Sequence, residues 1–184
     1  MTNKQKMLAG ELYLASDPEL AAEHLRAQAF VERLNATPIA DPVARHALMR
    51  ELFGSVGEGV VIKPDLRCDY GYNITIGART FINYNCVFLD CNRIAIGADV
   101  QIAPGVHIYA AAHPLDAATR RSGLEYAQPV TIADNVWLGG GAIICPGVEI
   151  GENTIVGAGS VVTRSLPANV IALGNRCRVV RATE

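Results

Sequence analysis

The chain of 184 residues holds four histidines, and one of them, His113 in "HIYAAAHPLD", stands where a regular pattern of residues stops. Histidine ordinarily titrates at about pH 6.5, so it is well suited to take a proton from a hydroxyl group at neutral pH. His107 precedes His113 by six residues, a pair that would also serve a metal ion. A protein-held zinc needs at least one more ligand, and the other histidines, His24 and His46, lie in the N-terminal part of the chain. His113 is therefore a candidate general base, the alternative being a structural histidine, and no metal site is expected. Glu125, in "SGLEYAQP", closes the same segment. It either orients and charge-balances His113 or is a solvated loop acid.

The pattern that His113 interrupts has a period of six. Ile132, Leu138, Ile144, Ile150, Val156 and Val162 recur six residues apart, and Ile96, Ile102 and Ile108 keep the same step. Ile76, Ile82 and Phe88 do so as well, displaced by two, which predicts an extra pair of residues around "DCNR", 90–93. Small or β-branched residues follow four positions later, as in Val136, Ala142, Val148, Thr154 and Ser160. Glycines directly follow Leu138, Ile150 and Val156. Such a period belongs to a parallel β-helix: one short strand and one tight corner per unit, three units to a triangular coil. Residues 18 apart then stack at roughly 4.8 Å, and the glycines are expected to supply backbone angles that other residues resist. The segment around 109–128 breaks this coil, and a loop that the fold does not need is a place to expect function.

Just outside each inward residue the types differ by face. Trp137 stacks on Ile155 and Ile143 on Val161, whereas Thr131 stacks on Glu149. Two apolar outer faces predict self-association together with cover from N-terminal helices. Those helices are read from "SDPELAAEHLRAQAFVERLNA", capped by Ser16 or Asp17, with a face of Leu20, His24, Ala27, Val31 and Leu34. The second, "DPVARHALMRELFG", is capped by Asp41, has a face of Val43, Ala47, Leu48 and Leu52, and ends at Gly54. His24 and His46 are read as ordinary surface or interface residues. The organisation expected is a helical region over 1–56 and a β-helix over 57–184 with its inserted loop and a C-terminal tail.

A net charge of −2 gives no footprint for nucleic acid, and no apolar run is long enough for a membrane span or a secretory signal. Five scattered cysteines without a C-x-x-C pair read as reduced thiols packed as small apolar residues, which places the protein in the cytoplasm.

Several stretches resemble the hexapeptide-repeat acyltransferases, in particular the maltose and galactoside O-acetyltransferases, and the maltose branch more than the galactoside one. They are "MLAGELY" with "SDPEL", "IGARTFINYNC", "FLDCNRIAIG", "APGVHIYAAAHPLD", "PVTIADNVWLGGGAIICPGVEIGENTIVGAGSVVT" and "GNRCRVVR". The resemblance implies a left-handed β-helix, a homotrimer with active sites between subunits, acetyl-coenzyme A as donor and a sugar hydroxyl as acceptor. It assigns His113 the role of base and puts acceptor contacts at positions matching Asp69, Asn83 and Asp90, with Glu125 beside them. Cys91 stands where the galactoside branch carries a second acid, which favours glucose or maltose over a galactoside. For the donor, the N–H of Gly140 matches the oxyanion donor, although a glycine there also suits a corner. Ala158, Thr163, Arg164, Arg178 and Arg181 match coenzyme-contacting positions, the last two suited to phosphates. Trp137 either packs on the coenzyme or serves an interface. Other readings on the same coil are an acetyltransferase for a galactoside, xenobiotic or nodulation-type sugar, a metal-dependent hydratase and a scaffold.

Overall fold

In a computed structural model, which describes residues 1–183, the repeat is a triangular prism of three parallel sheets. The first face holds Ser55–Val56, Ile74–Ile76, Ile94–Ile96, Val130–Ile132 and Glu149–Ile150. The second begins with Val61–Ile62 and runs through Phe81–Ile82, Gln101–Ile102, Trp137–Leu138 and Ile155–Val156 to the hairpin Val170–Leu173/Arg178–Ala182. Arg67–Cys68, Val87–Leu89, His107–Tyr109, Ile143–Ile144 and Val161–Val162 form the third. Ile132 pairs with Ile150, Leu138 with Val156 and Ile144 with Val162, the 18-residue stacking expected. The inward residues of the repeat are buried in one continuous core, each isoleucine or leucine worth about 1.5–3 kcal/mol.

Register reveals where the coil departs from 18. Between the first and second coils and between the second and third, partners lie 20 apart, as in Val56↔Ile76 and Ile76↔Ile96. Between the third and fourth they lie 36 apart, as in Ile96↔Ile132. Every insertion falls at the same place, the corner from the third face to the first: 69–73, 90–93 and 110–129. The sequence reading found the second and third of these. The first escaped it because Cys68, the inward residue before it, is not aliphatic.

The glycines work differently from expectation. Gly139, Gly151 and Gly157 do not have positive φ; a Cβ on Gly139 would come within 2.5 Å of the Ala158 nitrogen in the next coil. They are needed because neighbouring coils approach closely. Left-handed backbone occurs two residues later, and at the corner from first to second face it is taken by Asn135, Asn153 and Asn169.

Helix α1 (Asn3–Ala9), which lies within the helical region expected over 1–56 but was not singled out there, starts with a Thr2/Gln5 capping box. Helix α2 (Pro18–Ala36) starts at Asp17, whose side chain accepts from the Glu19 N–H, and buries Leu20, Ala27, Val31 and Leu34. Helix α3 (Pro42–Leu52) starts at Asp41 as expected, but its inner face is Arg45, Leu48, Met49 and Leu52. Val43 and Ala47 are exposed, because Arg45 takes the inward place by donating to the carbonyls of Leu34, Thr37 and Ile62. Both helices share one core with Val60, Ile62, Leu66 and Cys68 of the first coil, and Gln28, Asn35 and Arg45 donate to the carbonyls of Cys68, Leu66 and Ile62. They close the open end of the prism rather than cover its outer faces, which corrects the cover expected for those faces. No described helix is long and apolar enough to cross a membrane.

Candidate functional site

The insertions sharing one corner build a cleft of about 610 Å³ between the coil and helix α2. The longest insertion is a hairpin. Ala111–Ala112 pairs antiparallel with Leu124–Ala127, and Tyr13–Leu14 from the N-terminal segment pairs with the other edge of Leu124–Ala127. His113 leaves the first of these strands at the cleft mouth, ahead of the short helix α4 (Ala117–Arg121), and its side chain is 63% exposed. Its Nδ1 lies 3.8 Å from Oε2 of Glu125, whose side chain is only 15% exposed. The other oxygen, Oε1, accepts a 2.5 Å hydrogen bond from the hydroxyl of the fully buried Tyr13. Glu125 is thus an anchored carboxylate facing His113 and not a solvated loop acid.

Across the cleft the two shorter insertions meet. Asp69 is half-buried; its Oδ2 accepts from the Cys91 thiol at 3.4 Å, and its Oδ1 lies 3.9 Å from Nδ1 of His24. Burial pushes the Asp69 carboxyl up, opposed by the Cys91 bond and by His24. Asp90 stands one layer behind, fully buried, and its carboxyl is pushed up to about 7, chiefly by burial. Burial also raises the Cys91 thiol far above its ordinary range, so that it lines the cleft as a neutral group. His24 on α2, expected as an ordinary surface or interface residue, faces this cleft, edge-on to Tyr70 at 6.1 Å. A histidine within the apolar face of α2 was the available signal. Tyr13 and Tyr70 had none, because their places depend on the insertions coming together; Cys91 was marked only by the resemblance.

The remaining candidates lie elsewhere on the chain. Asn83 and Gly140 sit at the corner from second to third face, where the Asn83 side chain accepts from the Tyr84 N–H at 2.9 Å. Ala158 is stacked one coil beyond Gly140 at that corner. The Gly140 N–H donates to no described group of the chain. A Cβ at Gly140 would meet nothing closer than the Pro104 carbonyl oxygen at 3.4 Å, and its φ is not positive, so the corner does not require glycine there. Trp137 is 52% exposed on the second face. Thr163 and Arg164 are exposed at the far end of the corner that carries His113, and Arg178 and Arg181 lie on the exposed final strand. Within one chain, therefore, His113, Glu125 and Asp69 are brought together, and Asn83 and Gly140 are held apart from them. Among the described residues no three His, Cys, Asp or Glu side chains are grouped to hold a metal ion.

Comparison with known proteins matches residues 6–57 to the maltose acetyltransferase hexapeptide capping motif and residues 129–164 to the bacterial transferase hexapeptide repeat. The solved structure of a maltose O-acetyltransferase from Clostridium difficile 630 is 49% identical with a TM-score of 0.98, over 100% of this chain and 98% of that one. A galactoside acetyltransferase in complex with coenzyme A is 36% identical with a TM-score of 0.96, over 100% and 92%. Nodulation protein L of Rhizobium meliloti is 49% identical over 97% of both chains.

Proposed function

The chain belongs to the hexapeptide-repeat acetyltransferases, the family of the maltose and galactoside O-acetyltransferases, and on that premise we propose that it moves the acetyl group of acetyl-coenzyme A to a hydroxyl of glucose, maltose or a related sugar. The observation that carries this reading is His113 at the mouth of a cleft, its Nδ1 turned to the anchored carboxylate of Glu125. Nδ1 faces that carboxylate at 3.8 Å, and Nε2 is the nitrogen we assign to take the sugar hydroxyl proton. The sugar oxygen attacks the thioester carbonyl carbon as that proton passes to His113. The Gly140 N–H, without a partner among the described residues, donates to the oxygen that becomes negative. When the carbon–sulfur bond breaks, His113 returns the proton to the leaving thiolate, and no acyl-enzyme is formed.

His113 and Gly140 occupy different corners of the prism, so one site that uses both takes them from two copies of the chain. This supports a homotrimer, as do the apolar outer residues Trp137, Ile155, Ile143 and Val161, which the helices leave uncovered. Asp69 and Glu125 serve the acceptor from the His113 side and Asn83 from the neighbouring copy. Ala158, Thr163, Arg164, Arg178, Arg181 and Trp137 are the donor's contacts, the arginines at its phosphates. Cys91 beside Asp69 supports glucose or maltose over a galactoside, since a neutral thiol replaces an acid. All five cysteines are free, which supports a cytoplasmic enzyme.

The test is thiol release from acetyl-coenzyme A with glucose, maltose, a β-galactoside or serine as acceptor. Release with glucose or maltose is expected, and His113→Ala should lower turnover by roughly 10²–10⁴ with its assembly intact. Undiminished turnover in that variant would remove the base from the mechanism.

A further inference from the structure

Asp90 is a carboxylate whose two oxygens are treated unequally. Its Oδ1 accepts two hydrogen bonds, from the N–H of Asp69 and the N–H of Tyr70, each at 2.9 Å. Its Oδ2 is buried and meets no hydrogen-bonding group among the described residues. A buried polar atom left in this state opposes folding and asks for an explanation. Holding the corner together does not supply one. Asn73 already ties the insertions by donating to the Asp90 carbonyl at 2.7 Å, and Asn92 does so by donating to the carbonyls of Met7 and Ala127. Neither amide leaves a buried side-chain atom without a partner.

Two successive N–H groups converging on one oxygen fix the peptide between them in a single orientation. That peptide carries two residues of the cleft wall, Asp69 and Tyr70. With both N–H groups turned inward, the Asp69 carboxylate stands beside Cys91 and His24 and the Tyr70 ring against His24. We propose that Asp90 is a positioning residue of the acceptor site, which through Oδ1 holds the Asp69–Tyr70 peptide so that both side chains face the cleft opposite His113. Asp90 is fully buried, so it acts through that peptide and not by the direct acceptor contact that the resemblance implies. It supplies an oxygen to two donors, and what it determines is how well the acceptor is held, with the donor side untouched.

This inference rests on the acceptor reading given above, so its test separates the two. In Asp90→Ala the acceptor KM should rise about tenfold, the scale of one lost hydrogen bond to a charged group, while the KM for acetyl-coenzyme A stays within about twofold. Asp90→Asn keeps an oxygen for both N–H groups and should restore most of the lost acceptor affinity. An unchanged acceptor KM in Asp90→Ala, an equal rise in both KM values, or an Asn variant no better than Ala would overturn the proposal. A second measurement is independent of turnover. The amide proton resonances of Asp69 and Tyr70 should share one titration step in the wild type, beside the step that the Asp69 carboxyl gives its own amide, and lose the shared step in Asp90→Asn. The absence of a shared step in the wild type, or its survival in Asp90→Asn, would count against Asp90's hold on the peptide. A wild type without sugar-dependent turnover but with shared amide titration would sink the acceptor reading alone.

Discussion

The buried carboxyl of Asp90 ties a single residue to the pH dependence of the whole fold. Burial raises it from 3.8 to about 7, so between those values the folded chain keeps a proton that the unfolded chain has lost. The contribution of this group to stability is therefore greatest below about pH 4, falls as pH rises towards 7, and is level above. Asp90→Asn cannot ionise and should shed that part of the slope. Thermal unfolding of both proteins at pH 5 and pH 8 checks this: the variant should gain on the wild type at the higher pH, and a constant difference would contradict it. Gly140 offers a second test at this scale. Pro104 occupies the same corner position one coil earlier, as the pairing of Leu138 with Ile102 requires, so Gly140→Pro is compatible with the fold and removes only the N–H. Turnover should fall by about 10²–10³ with the melting temperature little changed. Wild-type turnover would acquit that N–H.

At the scale of elements, the six-residue step made the coil legible because the same steric demand returns at every strand and corner. What interrupts the step was legible only in part. The pair near 90–93 and the loop near His113 stood out against aliphatic neighbours, whereas the pair within 69–73 follows Cys68 and leaves no break in an aliphatic series. The face of α3 was misread because amphipathic spacing takes arginine as polar, and Arg45 turns inward to three carbonyl groups. Asparagines at the corner from first to second face were not singled out at all. Asn135, Asn153 and Asn169 have φ of 55–58° and join side chain to side chain, Asn135 to Asn153 at 2.9 Å and Asn153 to Asn169 at 2.8 Å. Asparagine tolerates this left-handed backbone better than most residues. Asn153→Ala should therefore cost about 1–2 kcal/mol in denaturant unfolding, and Asn153→Gly, which keeps the backbone freedom, less. Equal losses in the two variants would put the cost in the side-chain ladder instead.

For the whole molecule, the decisive fact is that the proposed base and the proposed oxyanion donor stand at two corners of one prism. A single sequence carries no mark of which corner faces which in an assembly. Its repeat could therefore indicate apolar outer faces but not how sites are divided between copies. If the site is shared, a chain lacking His113 and a chain lacking the Gly140 N–H have complementary defects. Co-assembly of His113→Ala with Gly140→Pro is the measurement that tests the account most directly, read as sugar-dependent thiol release from acetyl-coenzyme A. Random assortment in a trimer leaves about a quarter of the sites with both groups intact, so the mixture should recover about that fraction of wild-type turnover. Mixed trimers that form yet remain as inactive as either parent would contradict a shared site built on His113 and Gly140.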